Sequence, residues 1–164
     1  MSMEHVTHPF GPVWDGACRV LVLGSFPSVK SRENAFYYGH PQNRFWRMLG
    51  AVYHDAPPET VADKRAYLLR HHIALWDVIA SCDIVGSSDS SIRGAVPNDL
   101  PGLLARCPVE RILLNGQTAG RIYLKYWDQL PLPHLILPST SPANATWSLE
   151  RLAGAWEDAL KDAM

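Results

Sequence analysis

The chain has 164 residues, 47% of them hydrophobic and 19% charged, with a formal net charge of -1. A chain of this length buries about 70% of its unfolded surface as one domain, and so apolar a composition excludes a disordered polymer. The near-neutral charge gives no global signature of a nucleic-acid partner, and no apolar run nears the ~18 residues of a membrane span.

Residues 1–164 therefore read as a single domain. Met1 to Pro12 lacks the basic-then-apolar order of a secretion signal, so the expected setting is the cytosol, nucleoid-associated if the source is a prokaryote. The three cysteines, Cys18, Cys82 and Cys107, are scattered, form no CxxC and offer no four-ligand set for zinc or an iron–sulfur cluster. Core packing is the expectation for each.

In chain order, Arg19 to Leu23 reads as a buried strand, which Gly24 and Pro27 must turn aside. Pro41 suits a first helical position, and Phe45, Trp46, Leu49 and Tyr53 follow at helical spacing. A helix is expected from Pro58 to Arg70 with Val61, Tyr67 and Leu68 inward, then a strand from Ile73 to Val78. Ser81 to Asn98 is polar and without periodicity, and reads as a long functional or mobile loop.

Asn98 is the expected N-cap of a short helix from Asp99 to Arg106. Arg111 to Gly116 is a strand ending in a turn, and Thr118 to Asp128 a helix with Ile122, Tyr123, Tyr126 and Trp127 on one side. His134 to Leu137 is the last strand, with Pro138 to Asn144 its exit loop. Ser148 to Lys161 is an amphipathic helix with Leu149, Leu152, Ala153, Trp156 and Leu160 on one face. The expected fold is α/β: a three-layer sandwich around a central four-stranded, mostly parallel sheet. Its geometry sends the loops after the first, third and fourth strands to one edge, the rim where ligands bind in open sheets.

That rim carries the candidate chemistry. The first turn, Gly24-Ser25-Phe26-Pro27-Ser28, is neither GxGxxG, GxxxxGK nor GxSxG. Ser25 and Ser28 suit turn-forming or phosphate contact better than nucleophilic attack, because no base is implied nearby. Lys30, Arg32, Arg44 and Arg47 against Glu33 make a local +3, while Glu150, Glu157, Asp158 and Asp162 against Arg151 and Lys161 make a local −2.

Asn43, after a proline and beside Arg44, suits either a helix-capping amide or a carboxamide that holds a water. His40 can be an acid, a base or a turn residue. Tyr37 and Tyr38 offer a flat wall for a planar ligand, or ordinary packing. Asn115 ends a buried strand, where an amide needs a partner: a ligand edge or a turn. Pro138-Ser139-Thr140-Ser141-Pro142-Ala143-Asn144 packs hydroxyls and an amide between prolines, a composition suited to gripping phosphates. Asp77 and Asp89 are carboxylates near the same rim without an assigned role.

These segments resemble the uracil-DNA glycosylase superfamily, nearest its DNA-deoxyinosine (hypoxanthine) branch and next its mismatch-specific uracil/thymine branch. Gly24-Ser25-Phe26-Pro27 is similar to the first motif, His40-Pro41-Gln42-Asn43-Arg44-Phe45-Trp46 to the HPxNRFW segment, and Leu137 to Asn144 to the second motif, a loop that wedges into the DNA minor groove. Mismatch-specific members carry a water-positioning asparagine where Phe26 stands here. The resemblance to the deoxyinosine branch implies that Asn43 takes over that role. It also places Tyr38 on the flipped base, with Gly24, Ser25, Phe26, Pro27, His40 and Asn115 around it. Ser28, Arg44 and Ser139 to Asn144 would lie along the DNA.

The implied activity is monofunctional hydrolysis of the N-glycosidic bond of a deaminated base, most of all hypoxanthine. No metal or cofactor is expected, nor strand cleavage, since no lysine lies in the motifs. The implied partner is DNA bearing a damaged base, with no membrane and a monomeric enzyme. The alternatives are uracil or thymine excision, a non-catalytic domain for damaged DNA, and a nucleoside hydrolase.

Overall fold

The computed structural model describes residues 2–161. The central sheet has the order β3-β2-β6-β7, built from β2 (Val20–Gly24), β3 (Ile73–Asp77), β6 (Arg111–Asn115) and β7 (His134–Leu137). Every pairing in it is parallel. The reason lies in strand composition: all five residues of β2 are buried, as expected of a strand covered on both faces.

Successive side chains of β2 serve opposite layers. Val20 and Val22 face one core with α2 (Phe45–Tyr53), α3 (Val61–Arg70) and α6 (Leu149–Lys161), centred on Phe45, Leu68 and Trp156. Leu21 and Leu23 face the other, with α4 (Leu100–Leu104) and α5 (Gln117–Trp127), centred on Leu100, Ile122 and Tyr123. This is the three-layer sandwich expected. Cys18, Cys82 and Cys107 are buried and unpaired in the second core, as packing residues. Among the described residues no helix is long and apolar enough to cross a membrane.

The largest correction concerns residues 81–98. The expected loop contains most of β4 (Ile79–Ile84), a 3-10 turn (Asp89–Ser91) and β5 (Arg93–Pro97). With β1 (Glu4–Thr7) these strands form a second, antiparallel sheet of order β1-β4-β5. Only Ile79, Cys82 and Ile84 of β4 reach the core and β5 is largely exposed, so the period-two signal is faint.

Smaller corrections follow from local chemistry. The helix expected from Pro41 begins at Phe45, because residues 40–44 close a turn in which Asn43 N donates to the His40 carbonyl (3.0 Å). A short helix, α1 (Val29–Asn34), is additional to the expected elements; Ser28 caps it by accepting from Ser31 N. Thr60 caps α3, which therefore starts after the two prolines, and Val61 is 43% exposed rather than inward. Asp99, not Asn98, caps α4; Asn98 Nδ2 instead donates to the carbonyls of Asp77 and Ile79. Tyr126 lies outside the buried stripe of α5, at 38% exposure.

Candidate functional site

The loops after β2, β6 and β7 meet at the C-terminal edge of the central sheet, joined by the HPxN turn. Thr140, 0% exposed, joins the β7 loop to the end of β6 and to the HPxN turn. Its N–H donates to Asn115 Oδ1 (3.0 Å), its Oγ1 accepts from Asn115 Nδ2 (3.0 Å), and its carbonyl accepts from Arg44 N (3.0 Å). Its hydroxyl donates to Asn43 Oδ1 (2.9 Å), which also accepts from Phe45 N (3.0 Å). Asn43 thus caps the start of α2 with its oxygen, and both amides sought at this rim are present in one network.

Asn115 ends β6 and is 8% exposed, so the costly burial of its amide is met by Thr140. Gly116 follows at φ 100, a conformation open to glycine, and an added Cβ would stand 3.1 Å from the Ser139 Cβ. The backbone of the β7 loop can therefore close onto the end of β6.

Beyond Thr140 the loop is held from within. Arg44 donates to the carbonyls of Trp147, Ser141 (2.9 Å) and Asn144 (3.0 Å). Ser139 Oγ accepts from Ser141 N, Ser141 Oγ from Ala143 N, and Asn144 Nδ2 donates to the Ser139 carbonyl. Pro138 is anchored by Trp156 Nε1 at 3.0 Å. Ala143 is the exposed apex, beside half-buried Pro142. Most of the hydroxyls expected to face a partner shape the loop instead, and Arg44 is an organiser of its backbone.

The β2 turn contributes a floor. Phe26 is 8% exposed and lies in the α4/α5 core, with His8 edge-on to it and the Arg32 guanidinium 5.8 Å from its ring. Pro27 is buried beside it. Ser25 Oγ donates to Asp89 Oδ2 (2.9 Å), and Ser28 is occupied in capping α1. Asp89 lies at the surface as a residue, but its carboxyl turns onto Ser25. Burial of that carboxyl raises its pKa, the Ser25 hydroxyl works against the rise, and the Asp77 charge adds to it.

Tyr38 adopts φ 52, uncommon for a tyrosine, and tilts its ring over Phe45 with centroids 4.3 Å apart. Its hydroxyl is buried with no hydrogen-bond partner among the described residues. Burial, and then the Asp77 charge, push the phenol pKa well above its ordinary value. The hydroxyl and Asp77 Oδ1 both crowd Gly24, where a Cβ would lie 2.8 and 2.6 Å from them. His40 keeps its ring in the turn, Nδ1 accepting from Gln42 N at 3.0 Å.

Two residues of this region do more than the sequence signals. Asp77 ends β3 and is 3% exposed. Its Oδ2 meets His8 Nε2 at 2.8 Å, with 4% of either side chain exposed. A polar residue closing an apolar strand marks Asn115, and the same signal is available for Asp77. His8 carries none, since only the fold brings it to a partner 69 residues along the chain.

A model of the uracil DNA glycosylase superfamily matches residues 12–160. The chain belongs to the uracil DNA glycosylase superfamily. It is 35% identical over 150 residues to a hypoxanthine DNA glycosylase of Methanosarcina acetivorans, covering 90% of this chain and 94% of that protein. To a hypoxanthine DNA glycosylase of Methanosarcina barkeri it is 33% identical over 154 residues, covering 93% and 96%. The fold superposes with TM-score 0.82 on a solution NMR structure of a candidate uracil DNA glycosylase from Methanosarcina acetivorans. That pair is 33% identical, with 94% of this chain and 96% of the other covered. In this chain Asn43 is a half-buried carboxamide bonded to Thr140, and the first turn carries Phe26, buried in the α4/α5 core.

Proposed function

We propose that the protein is a monofunctional DNA glycosylase that releases hypoxanthine from deoxyinosine in DNA. The observation that carries this reading is the pairing of Phe26 and Asn43. The first turn offers a ring buried in the core, while the HPxN turn brings the carboxamide of Asn43 to the rim, joined through Thr140 to the buried amide of Asn115. The names of the relatives at 35% and 33% identity support hypoxanthine as the base.

The target nucleotide leaves the stack at a cost of a few kcal/mol, least where it is mispaired. The loop of residues 138–144, stiffened by Arg44, holds the strands apart, and Tyr38 stacks on the extruded base. The C1′–N9 bond breaks with its electron pair going to the base. Water oxygen then bonds to C1′, and the proton it sheds neutralises the departing base. Asn43 is the catalytic residue and the cleft supplies dipoles to the charge that develops.

Duplexes bearing inosine, uracil, xanthine or a G·T mispair, assayed for free base at excess enzyme, test the reading. Inosine is expected to react fastest, with Asn43→Ala slowing single-turnover excision by about a hundredfold or more. Unchanged excision by that variant removes Asn43 from the chemistry. Faster uracil release moves the substrate to the uracil branch, no release at all makes this a binding domain, and cleavage of free deoxyinosine makes it a nucleoside hydrolase.

A further inference from the structure

The network around Thr140 has a polarity, and it decides which end of Asn43 the reaction meets. Backbone N–H groups can only donate, so they anchor both amides. Thr140 N donates to Asn115, which makes that atom Oδ1 and leaves Nδ2 as the donor to Thr140 Oγ1. The hydroxyl, already accepting there, sends its proton to Asn43. Phe45 N independently requires an oxygen at the same place. The chain of bonds therefore runs one way, from Asn115 through Thr140 to Asn43 Oδ1.

Asn43 Oδ1 accepts two hydrogen bonds, the capacity of a carbonyl oxygen, and Nδ2 carries two donors and nothing to accept with. A water held for attack through its own hydrogens would need that oxygen. Resting on the assignment of Asn43 to catalysis, we infer that Asn43 serves the reaction as a hydrogen-bond donor through Nδ2, directed at the base as it departs with negative charge, and that Thr140 is the positioning residue that locks this orientation. A fixed neutral donor aimed at developing charge is effective because it needs no rearrangement when the bond breaks. Thr140 is well placed to do this, being fully buried and bonded to the HPxN turn and the end of β6 at once.

The deciding substitution is Asn43→Asp. A carboxylate can accept from Thr140 and Phe45 as the native oxygen does, so the network survives, but its outer atom no longer donates. Single-turnover release of hypoxanthine from an inosine duplex at saturating enzyme is expected to fall about a hundredfold, as far as for Asn43→Ala. Asn43→Asp retaining the wild-type rate while Asn43→Ala loses it would overturn the inference, since a carboxylate would then be holding water. Asn43→Ala retaining the rate defeats the assignment of Asn43 itself, a separate failure.

Thr140→Val keeps the shape and removes the hydroxyl. Its excision rate at saturation is expected to fall about tenfold, the worth of one hydrogen bond, with DNA affinity held. Thr140→Ser restores the hydroxyl and is expected to recover the rate. A Thr140→Val enzyme that is merely less heat-stable, with a wild-type rate at saturation, would reduce Thr140 to packing and overturn its part. If that variant does not fold, the Asn43→Asp comparison still decides.

Discussion

Arg44 lies in a segment of local positive charge, yet its guanidinium spans the carbonyls of Ser141, Asn144 and Trp147. A planar fork can reach several acceptors at once, whereas a lysine ammonium is a point charge. Arg44→Lys is therefore expected to lower the free energy of unfolding by roughly 2 kcal/mol in denaturant titrations and to open the loop to proteolysis, although the charge is kept. A variant as stable and resistant as wild type would mean the carbonyl contacts count for little. The sequence marks Arg44, Asn43 and Asn115 by residue type and place, but their hydrogen-bond partners are set by loops 97 residues and 25 residues away along the chain. No spacing encodes that the hydroxyls of Ser139 and Ser141 turn to backbone. Nor does any local pattern tie His8 to Asp77, a buried pair whose separation would leave an uncompensated charge.

At the level of elements, α5 and β7 are held together by the lack of a side chain. A Cβ at Gly120 would stand 2.5 Å from Ile136 Cδ1 and 2.7 Å from its Cγ1. Gly120→Ala is expected to destabilise the fold by about 1–3 kcal/mol, despite alanine's better helix propensity. Adding Ile136→Val removes the nearest atom and should return part of that loss in a double-mutant cycle; additive penalties would show that the two do not meet. The strands of the central sheet are legible because near-continuous apolar runs such as Val20 to Leu23 admit few other readings. The second sheet is not, since Arg93–Pro97 is mostly exposed and β4 hides its register behind irregular pairings with β5. The six-residue helix α1 is too short for periodicity to reveal, and its cap Ser28 passes in the sequence for a ligand-facing serine.

Over the whole molecule, burial acts on the tyrosines in a common direction. It raises the phenols of Tyr37 and Tyr38 well above the ordinary 10.0, and those of Tyr53 and Tyr67 to about 12. Above pH 10 the unfolded chain ionises these groups while the folded one keeps their protons. The folded state then binds more protons, so its stability must fall as pH rises. Their contribution is intact below about pH 10 and is lost progressively through the window up to about 12 and beyond. Denaturant midpoints should drop between about pH 9 and about pH 11, with most of the tyrosinate absorbance rising only as the chain unfolds. Most of the absorbance appearing without unfolding would contradict the burial of these rings. The two cores that bury them follow from the α/β alternation of the sequence. What the alternation does not convey is that β4 leaves β3 after a single residue, Val78, and carries the chain into a separate sheet.

That second sheet imposes an order on synthesis. Glu4 pairs opposite Ile84, so β1 emerges from the ribosome well before its partner, by roughly 4–16 s at ~5–20 residues per second. During that interval His8 also lacks Asp77. The strand that must wait is Glu-His-Val-Thr, polar and mostly exposed even when paired, a composition that can remain in water without sticking to its neighbours.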